Sequence, residues 1–221
     1  MDPAAVAQAW IDLRRRITDA GGGPEVSILA VTKTWGPDAI EAARAAGATS
    51  IGENYAQELV TKRDACTGLE VHFVGQLQTN KVRMIADIVD VYETVDRPKL
   101  AREIARRDPG ARIYLQVNTT GEANKGGWPL DDLNTLVDEI SGLDLNLEGL
   151  MTVGPTIGGP EAARPGFRAV RAAADRLGLV HCSMGMTDDL VVAVEEGTTQ
   201  VRVGTALFGR RHVPIWRNQG R

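Results

Sequence analysis

The feature that most constrains this chain is a regular alternation of short apolar runs with longer helix-forming stretches. The runs are rich in valine and isoleucine, which is typical of parallel strands buried on both faces. They lie at Ser27–Val31, Thr49–Ile51, Val71–Val74, Val89–Val95, Arg112–Val117, Leu145–Met151, Val180–Met184 and Gln200–Val203. Their ends fall near residues 33, 54, 75, 95, 118, 151, 183 and 204, so successive ends are 20 to 33 residues apart.

Eight strand–helix units of this length predict a single α/β domain over residues 1–221, folded as a (β/α)8 TIM-type barrel. An open doubly wound sheet shows the same alternation and is the alternative. Because the chain stops soon after the eighth strand, the last outer helix is expected to be missing or short. An extra N-terminal helix over Pro3–Ala20 is placed to cover that gap. Its predicted buried face carries Val6, Trp10, Leu13 and Ile17.

Composition excludes several classes of protein. The chain has 43% hydrophobic and 24% charged residues and a net charge of −4, which is the range of a globular protein without nucleic-acid partners. No apolar run approaches the ~18 residues needed to span a bilayer, and no signal peptide is recognisable at the N-terminus, so the expected location is the cytoplasm. Cys66 and Cys182 are far apart and are read as buried small hydrophobes.

Lys33 follows the first predicted strand, at the end where parallel barrels place their functional residues. A lysine at an apolar barrel mouth has its charged form disfavoured, and its neutral amine can form a Schiff base with an aldehyde. The alternative is a structural lysine whose stem packs at the edge of the sheet while its amine reaches water.

The loops after the last two strands carry the pattern of a phosphate site. Glycines in Ser183–Asp189 and in Gly204–Ala206 let backbone N–H groups approach an anion, and both loops follow the strands that bind phosphate in many barrels. Thr187 is also a plausible N-cap for a helix over Asp188–Glu196. Arg202 shares a strand face with Gly204, which predicts that it points into the barrel.

The remaining motifs do not predict a functional site. No cluster with metal-ligand spacing and no paired carboxylates stand at the strand ends, so neither a metal site nor a catalytic residue is predicted. His72 is read as a core histidine, His181 and His212 receive no role, and the run Arg14–Arg16 is read as a solvated helix face.

Several blocks of the chain together resemble the pyridoxal phosphate homeostasis proteins, a family similar to the N-terminal barrel domain of alanine racemase. The blocks are Ile28–Thr34, Gly52–Tyr55, His72–Lys81, Gln116–Asn118, Gly149–Met151, Ser183–Asp189 and Val201–Gly209. The resemblance implies a barrel that holds pyridoxal 5′-phosphate (PLP) as a covalent aldimine on Lys33 and lacks the second, mostly β domain of the racemases.

The resemblance also implies roles for individual residues. Ser183, Gly204 and Thr205 would hold the phosphate, and Arg202 would donate to the pyridine nitrogen. Asn54 would lie near the cofactor ring, with His72 and Met151 as weaker candidates for its surroundings. The sequence departs from the family pattern at Thr32, Trp35, Asn124 and Gly126, and Trp35 is expected to narrow access to Lys33.

Three functions follow. The first is a non-catalytic PLP carrier, a monomer that limits free PLP or delivers it to the apo forms of PLP-dependent enzymes and meets amino acids at the same site. The second is a PLP-dependent amino-acid racemase, which needs a second proton carrier that this chain is not expected to supply. The third is a Schiff-base aldolase for a sugar phosphate, with Glu53 as the nearby acid or base.

Overall fold

The computed structural model describes residues 1–122 and 125–210, and Asn124 and His212 lie outside this range. The strands are β1 (Ser27–Val31), β2 (Ser50–Glu53), β3 (Glu70–Phe73), β4 (Val91–Val95), β5 (Ala111–Asn118), β6 (Trp128–Pro129), β7 (Leu145–Thr152), β8 (His181–Ser183) and β9 (Gln200–Val203). All of them except β6 form a closed parallel barrel: the order runs β4-β3-β2-β1-β9-β8-β7-β5, and β5 also pairs with β4. This closure confirms the barrel and excludes the open sheet.

The strand β6 was not predicted. It is a two-residue segment that pairs in parallel with the end of β5, beside the closed barrel. Nine α-helices are found within the described residues: α1 (Pro3–Asp19), α2 (Pro37–Ala45), α3 (Ala56–Thr61), α4 (Val82–Ile85), α5 (Pro98–Arg107), α6 (Leu133–Ile140), α7 (Arg164–Arg176), α8 (Leu190–Glu195) and α9 (Thr205–Phe208). Short 3-10 turns precede α4, α6 and α7 and follow α3, so these helices are shorter than their sequence patterns suggest.

The N-terminal helix closes the outer layer as predicted. Asp2 caps α1 by accepting a hydrogen bond from the Ala4 amide at 3.0 Å, and Pro3 occupies the first helical position, where its missing N–H costs nothing. The four predicted apolar residues of α1 are buried and the helix packs against α2, α8 and α9. Since α9 has four residues, α1 supplies the cover that a longer eighth helix would give.

The arginine run on α1 is not simply a solvated face, which corrects the sequence prediction. Arg14 donates to the Val26 carbonyl at 2.6 Å and lies over the Trp10 ring. Arg16 donates to the Thr187 carbonyl at 2.9 Å. These contacts join α1 to the loop that precedes β1 and to the loop that follows β8.

Thr187 does not cap the following helix, so that prediction is also wrong. The helix α8 begins at Leu190, and Asp189 instead accepts a hydrogen bond from the Met186 amide at 2.6 Å. The Thr187 hydroxyl accepts from the Ala206 amide at 3.3 Å, which joins the loop after β8 to the start of α9.

The main apolar core lies between the strands and the outer helices, while the barrel interior is more polar. A separate apolar cluster of Val91, Tyr114 and Met151 fills part of that interior. Cys66 and Cys182 are buried thiols, as predicted, and burial raises the pKa of each to about 11. Among the described residues, none of the helices combines the length and the apolar character that a membrane crossing requires.

Candidate functional site

A cavity of about 390 Å³, here called the Lys33 cavity, opens at the carboxyl ends of the barrel strands. Five of the six predicted site residues line it: Lys33, Asn54, Arg202, Gly204 and Thr205. Parallel closure explains their meeting, since it brings residues that follow β1, β2 and β9 to one end of the barrel. Trp35, Met151, Met186 and Thr187 also line the cavity, so Trp35 stands where the sequence analysis expected it to affect access.

The backbone on both sides of Lys33 is held by a buried group that we call the Lys62 cluster (Lys62, Glu53 and Glu58). The Lys62 amine donates to the Thr32 carbonyl at 2.8 Å, to Glu53 at 2.7 Å and to Glu58 at 2.6 Å. The Lys62 side chain is only 3% exposed. A buried ammonium needs such acceptors to offset its lost hydration.

The carboxylates of the Lys62 cluster complete the grip on this loop. Glu53 accepts from the Thr32 hydroxyl at 2.6 Å, and Glu58 accepts from the Thr34 amide at 2.5 Å. Thr34 has a φ of +67°, a left-handed conformation that costs a β-branched residue free energy. The cluster therefore holds Thr32 and Thr34 in place and fixes where the Lys33 side chain leaves the backbone.

Lys62 was not predicted to belong to this region. One local signal was present, because Glu58 and Lys62 stand four residues apart, the spacing of a helical ion pair. What the sequence does not show is that this pair faces inward and meets Glu53 and Thr32 from other elements.

Glu53 is poorly placed to serve Lys33 as an acid or base. It is fully buried, and one of its oxygens is bonded to both Lys62 and Thr32. Burial raises the pKa of this carboxyl, and the neighbouring Lys62 ammonium opposes that rise. Glu53 also does not line the Lys33 cavity, so the geometry gives the aldolase hypothesis no support from this carboxylate.

A second buried polar group lies inside the barrel and contains Arg202. We call it the Arg202 network; its members are Glu70, His72, Glu93, Ser183, Gln200 and Arg202. The Arg202 guanidinium donates to the Ser183 carbonyl at 2.6 Å, to the Ser183 hydroxyl at 2.8 Å and to the Thr152 carbonyl at 2.7 Å. A guanidinium has five N–H groups, so these three bonds leave two for a ligand.

Glu93 is the centre of this network. Its two oxygens accept from the Ser183 hydroxyl at 2.6 Å and from the Gln200 amide at 2.6 Å, and it contacts His72 at 2.5 Å. Glu93 is fully buried within β4. Burial disfavours its charge, but His72 and Arg202 outweigh that cost and hold the pKa of the Glu93 carboxyl below its ordinary value.

His72 extends the Arg202 network towards the amino ends of the strands. Its second ring nitrogen contacts Glu70 at 2.9 Å, and Glu70 also pairs with Arg112. Burial opposes the charge of His72, yet the hydrogen bonds to Glu70 and Glu93 raise its pKa to about 9. The interpretation of His72 as a core histidine agrees with this geometry, and its raised pKa favours the charged form at neutral pH.

Ser183 does not line the Lys33 cavity, unlike the other predicted site residues. A hydroxyl has one hydrogen to donate and two acceptor positions. The Ser183 hydroxyl donates to Glu93 and accepts from Arg202 and from Gln200, the latter at 3.1 Å. Its bonding capacity is thus used inside the barrel, and this geometry gives no support to the predicted contact between the Ser183 hydroxyl and a phosphate.

Thr187 lines the Lys33 cavity although Ser183 does not. It lies in the same loop, four residues later, and its hydroxyl reaches the first turn of α9 near Gly204 and Thr205. Gly185 permits this path because its φ is +88° and a Cβ there would approach the Ala193 Cβ to 2.4 Å. The Arg202 amide donates to the Gly185 carbonyl at 3.0 Å, which fixes the loop against β9.

Asn54 contributes a polar group that the described residues leave unsatisfied. Its Oδ1 atom is buried and accepts no hydrogen bond from them. A buried acceptor without a partner costs about 1–3 kcal/mol. The Lys33 cavity is lined by a lysine, an arginine, an asparagine and a glycine-containing loop, and this set suits a small molecule with both an electrophilic and an anionic group.

Comparison with known proteins agrees with this geometry. Residues 2–212 match the family model of the alanine racemase N-terminal domain. The chain is 38% identical over 216 residues to the pyridoxal phosphate homeostasis protein of Pseudomonas aeruginosa, covering 93% of this chain and 94% of that one.

Two solved structures extend the comparison. PipY of Synechococcus elongatus, in a structure with PLP bound, is 32% identical with a TM-score of 0.82, and the match covers 92% of this chain and all of PipY. Alanine racemase of Corynebacterium glutamicum is 16% identical with a TM-score of 0.77, which shows a shared fold. The match covers 96% of this chain but 62% of the racemase. The described residues form the barrel and include no second domain, and the chain belongs to the family of pyridoxal phosphate homeostasis proteins.

Proposed function

We propose that this protein binds PLP in the Lys33 cavity and serves PLP homeostasis, holding the cofactor as a Schiff base on Lys33. The observation that carries this proposal is the meeting of Lys33, Asn54, Arg202, Gly204 and Thr205 around one cavity. The name of the Pseudomonas aeruginosa relative and the PLP-bound structure of PipY support it.

The residues around the cavity fit the chemistry of PLP. Lys33 supplies the amine for the aldehyde, and the loops at Gly204, Thr205 and Thr187 supply backbone N–H groups and hydroxyls for the phosphate. There is little room for a side chain at Gly204, since a Cβ there would lie 3.2 Å from the Val31 carbonyl oxygen. The Asn54 amide offers a polar partner beside Lys33. We assign Ser183 to the orientation of Arg202 rather than to the phosphate.

Arg202 argues for a carrier rather than an enzyme of carbanion chemistry. Bound PLP acts as an electron sink when its ring nitrogen is protonated. A guanidinium held by Ser183 and Thr152 would donate to that nitrogen and would keep it unprotonated, because arginine does not give up a proton near neutral pH. The role of Arg202 is thus to orient the ring while limiting reactions of bound amino acids.

The tyrosines also favour the carrier over the racemase. A two-base racemase needs a proton carrier on the ring face opposite the lysine. Tyr92 and Tyr114 are buried, and Tyr55 is 42% exposed and lines neighbouring cavities instead. None of the described tyrosines lines the Lys33 cavity, so the racemase reading lacks its second base there.

The test of cofactor binding is the visible absorption spectrum of the full chain with added PLP, before and after borohydride, followed by peptide mapping. We expect a Schiff-base band and a reduced adduct on Lys33. Lys33→Ala should lose the reducible adduct and keep weak binding through the phosphate loops, whereas Lys99→Ala, an exposed lysine on α5, should behave as the wild type. An adduct that persists in Lys33→Ala refutes the site.

Delivery and catalysis require separate measurements. A carrier should pass PLP to an apo-enzyme at a rate that depends on carrier concentration, and it should racemise amino acids no faster than free PLP does. Rapid turnover of an amino acid by the loaded wild type, lost in Lys33→Ala, would favour the racemase instead. If the rate of transfer depends on the concentration of free PLP alone, the protein buffers PLP but does not deliver it to the apo-enzyme.

A further inference from the structure

A second cavity, of about 480 Å³, lies on the other side of Asn54 and is formed by the ends of β2, β3 and β4. We call it the Lys81 cavity; its polar lining includes Asn54, Gln76, Gln78, Lys81 and Arg97. Most of these residues belong to the amide-rich segment from Gly75 to Lys81, which the proposed function leaves without a role. Asn54 also lines the Lys33 cavity, so one amide separates the two.

The Lys81 cavity carries an excess positive charge. Arg97 forms an ion pair with Asp96 and donates to the Leu77 carbonyl at 2.8 Å. Lys81 forms no ion pair within the described part of the chain, and the described residues that line the cavity include no carboxylate. The site therefore presents about one uncompensated cation, which matches a ligand with a single negative charge better than one with two.

The walls of the Lys81 cavity are fixed before any ligand arrives. The Thr94 hydroxyl donates to the Gly75 carbonyl at 2.6 Å, and the Arg97 bond to Leu77 holds the next turn of the same segment. Gly75 packs so closely on β2 that a Cβ there would lie 2.1 Å from the Asn54 carbonyl oxygen. A preorganised pocket avoids the ordering cost that a flexible surface loop would impose on binding.

We propose that the Lys81 cavity binds a small monocarboxylate with a short hydrocarbon tail. Its carboxylate meets Lys81 and the guanidinium of Arg97, which line the same cavity. The buried side chains of Phe73 and Leu77 form the apolar part of the wall and take the hydrocarbon of the ligand. Binding there requires nothing of Lys33; only an influence on bound PLP through Asn54 would rest on the proposed function.

The test is calorimetric titration of the PLP-free full chain with propionate and with propionamide. The two probes share a three-carbon skeleton, and propionamide lacks the negative charge. We expect saturable binding of propionate, with propionamide at least about tenfold weaker because it cannot form a charge-assisted hydrogen bond with Lys81. Since no cofactor is present, the result is independent of whether Lys33 binds PLP.

Two lysine variants locate the carboxylate. Lys81→Met should weaken binding of propionate about tenfold, since it removes a charge-assisted hydrogen bond. Lys99→Met, at the exposed lysine of α5, should leave it unchanged. The proposal is overturned if the wild type shows no saturable binding of propionate, if Lys81→Met binds as the wild type does, or if propionamide binds as tightly as propionate.

Discussion

The Lys62 cluster and the Arg202 network both bury charge beside the Lys33 cavity, but they hold different things. The Lys62 cluster bonds mainly to backbone groups of the loop around Lys33. The Arg202 network bonds side chain to side chain across the barrel, from Arg202 through Ser183 and Glu93 to His72. The Lys62 cluster therefore fixes the backbone from which the Lys33 side chain extends. The Arg202 network fixes the guanidinium at the end of the Arg202 side chain.

The two groups also differ in how completely their polar atoms are satisfied. Within the described structure, the Lys62 cluster leaves Oε2 of Glu53 and Oε2 of Glu58 buried without hydrogen-bond partners, the adjoining Thr34 leaves its hydroxyl in the same state, and the Arg202 network leaves none. A network whose polar atoms are all hydrogen-bonded rigidifies its surroundings. A network with unbonded polar atoms loses less when its hydrogen bonds rearrange. The difference predicts that the Arg202 network is the more costly of the two to disturb.

Glu93→Gln should give the largest loss of stability. The substitution keeps the size of the side chain but leaves the protonated His72 and Arg202 without their shared carboxylate. Removing one partner from a buried charged group costs about 3–5 kcal/mol. Chemical denaturation measures this loss, and Glu41→Gln, at an exposed glutamate of α2, should change stability by less than about 0.5 kcal/mol. A similar small change for Glu93→Gln would mean that the network does not stabilise the barrel.

The pH dependence of stability tests the His72 part of the network. The pKa of His72 is raised from 6.5 to about 9, so the folded state holds a proton that the unfolded state releases in between. Its contribution is complete below pH 6.5 and is lost as the pH rises through 9. The stability difference between the wild type and His72→Gln should therefore shrink by about 3 kcal/mol over this range. A constant difference would show that His72 is neutral.

Lys62→Met should cost less, about 2 kcal/mol, although Lys62 is as deeply buried. The reason is that Glu53 can take up a proton when its cation is removed, since burial already raises the pKa of this carboxyl. The double variant Lys62→Met/Glu53→Gln should recover at least about 1 kcal/mol of that loss. If the double variant is no more stable than Lys62→Met, the two residues are not coupled as the structure shows.

The barrel and most of the site could be predicted because both depend on local patterns. Strand periodicity places residues such as Lys33, Asn54 and Gly204 just after a strand, and parallel closure then brings those ends together. Nothing more than the order of the strands is needed for this step. The separate role of each residue within the cavity is not fixed by the same rule.

The buried networks could not be predicted because their partners are distant in sequence. Glu93 lies within an apolar run that reads as an ordinary strand, and its bond to Ser183 spans 90 residues. Ser183 is the last residue of β8. Whether its side chain points into the cavity or into the barrel interior depends on the direction of this one side chain, which the sequence does not show. Lys62 likewise gains its meaning from Glu53 and Thr32, which only the closed barrel brings within reach.

The smallest predicted effect concerns Thr34, where the Lys62 cluster holds a strained backbone. Thr34→Gly removes both the cost of a β-branched residue at a φ of +67° and its unsatisfied hydroxyl, so stability should rise by about 1 kcal/mol. Thr67→Gly is the matched control, since Thr67 is exposed with a φ of −51° and should lose about 0.5–1 kcal/mol. Thermal unfolding distinguishes the two. If Thr34→Gly is destabilised as much as the control, the backbone that Glu58 holds at Thr34 is not strained. If it is stabilised while Lys33 reacts more slowly with PLP, the strain serves to position Lys33.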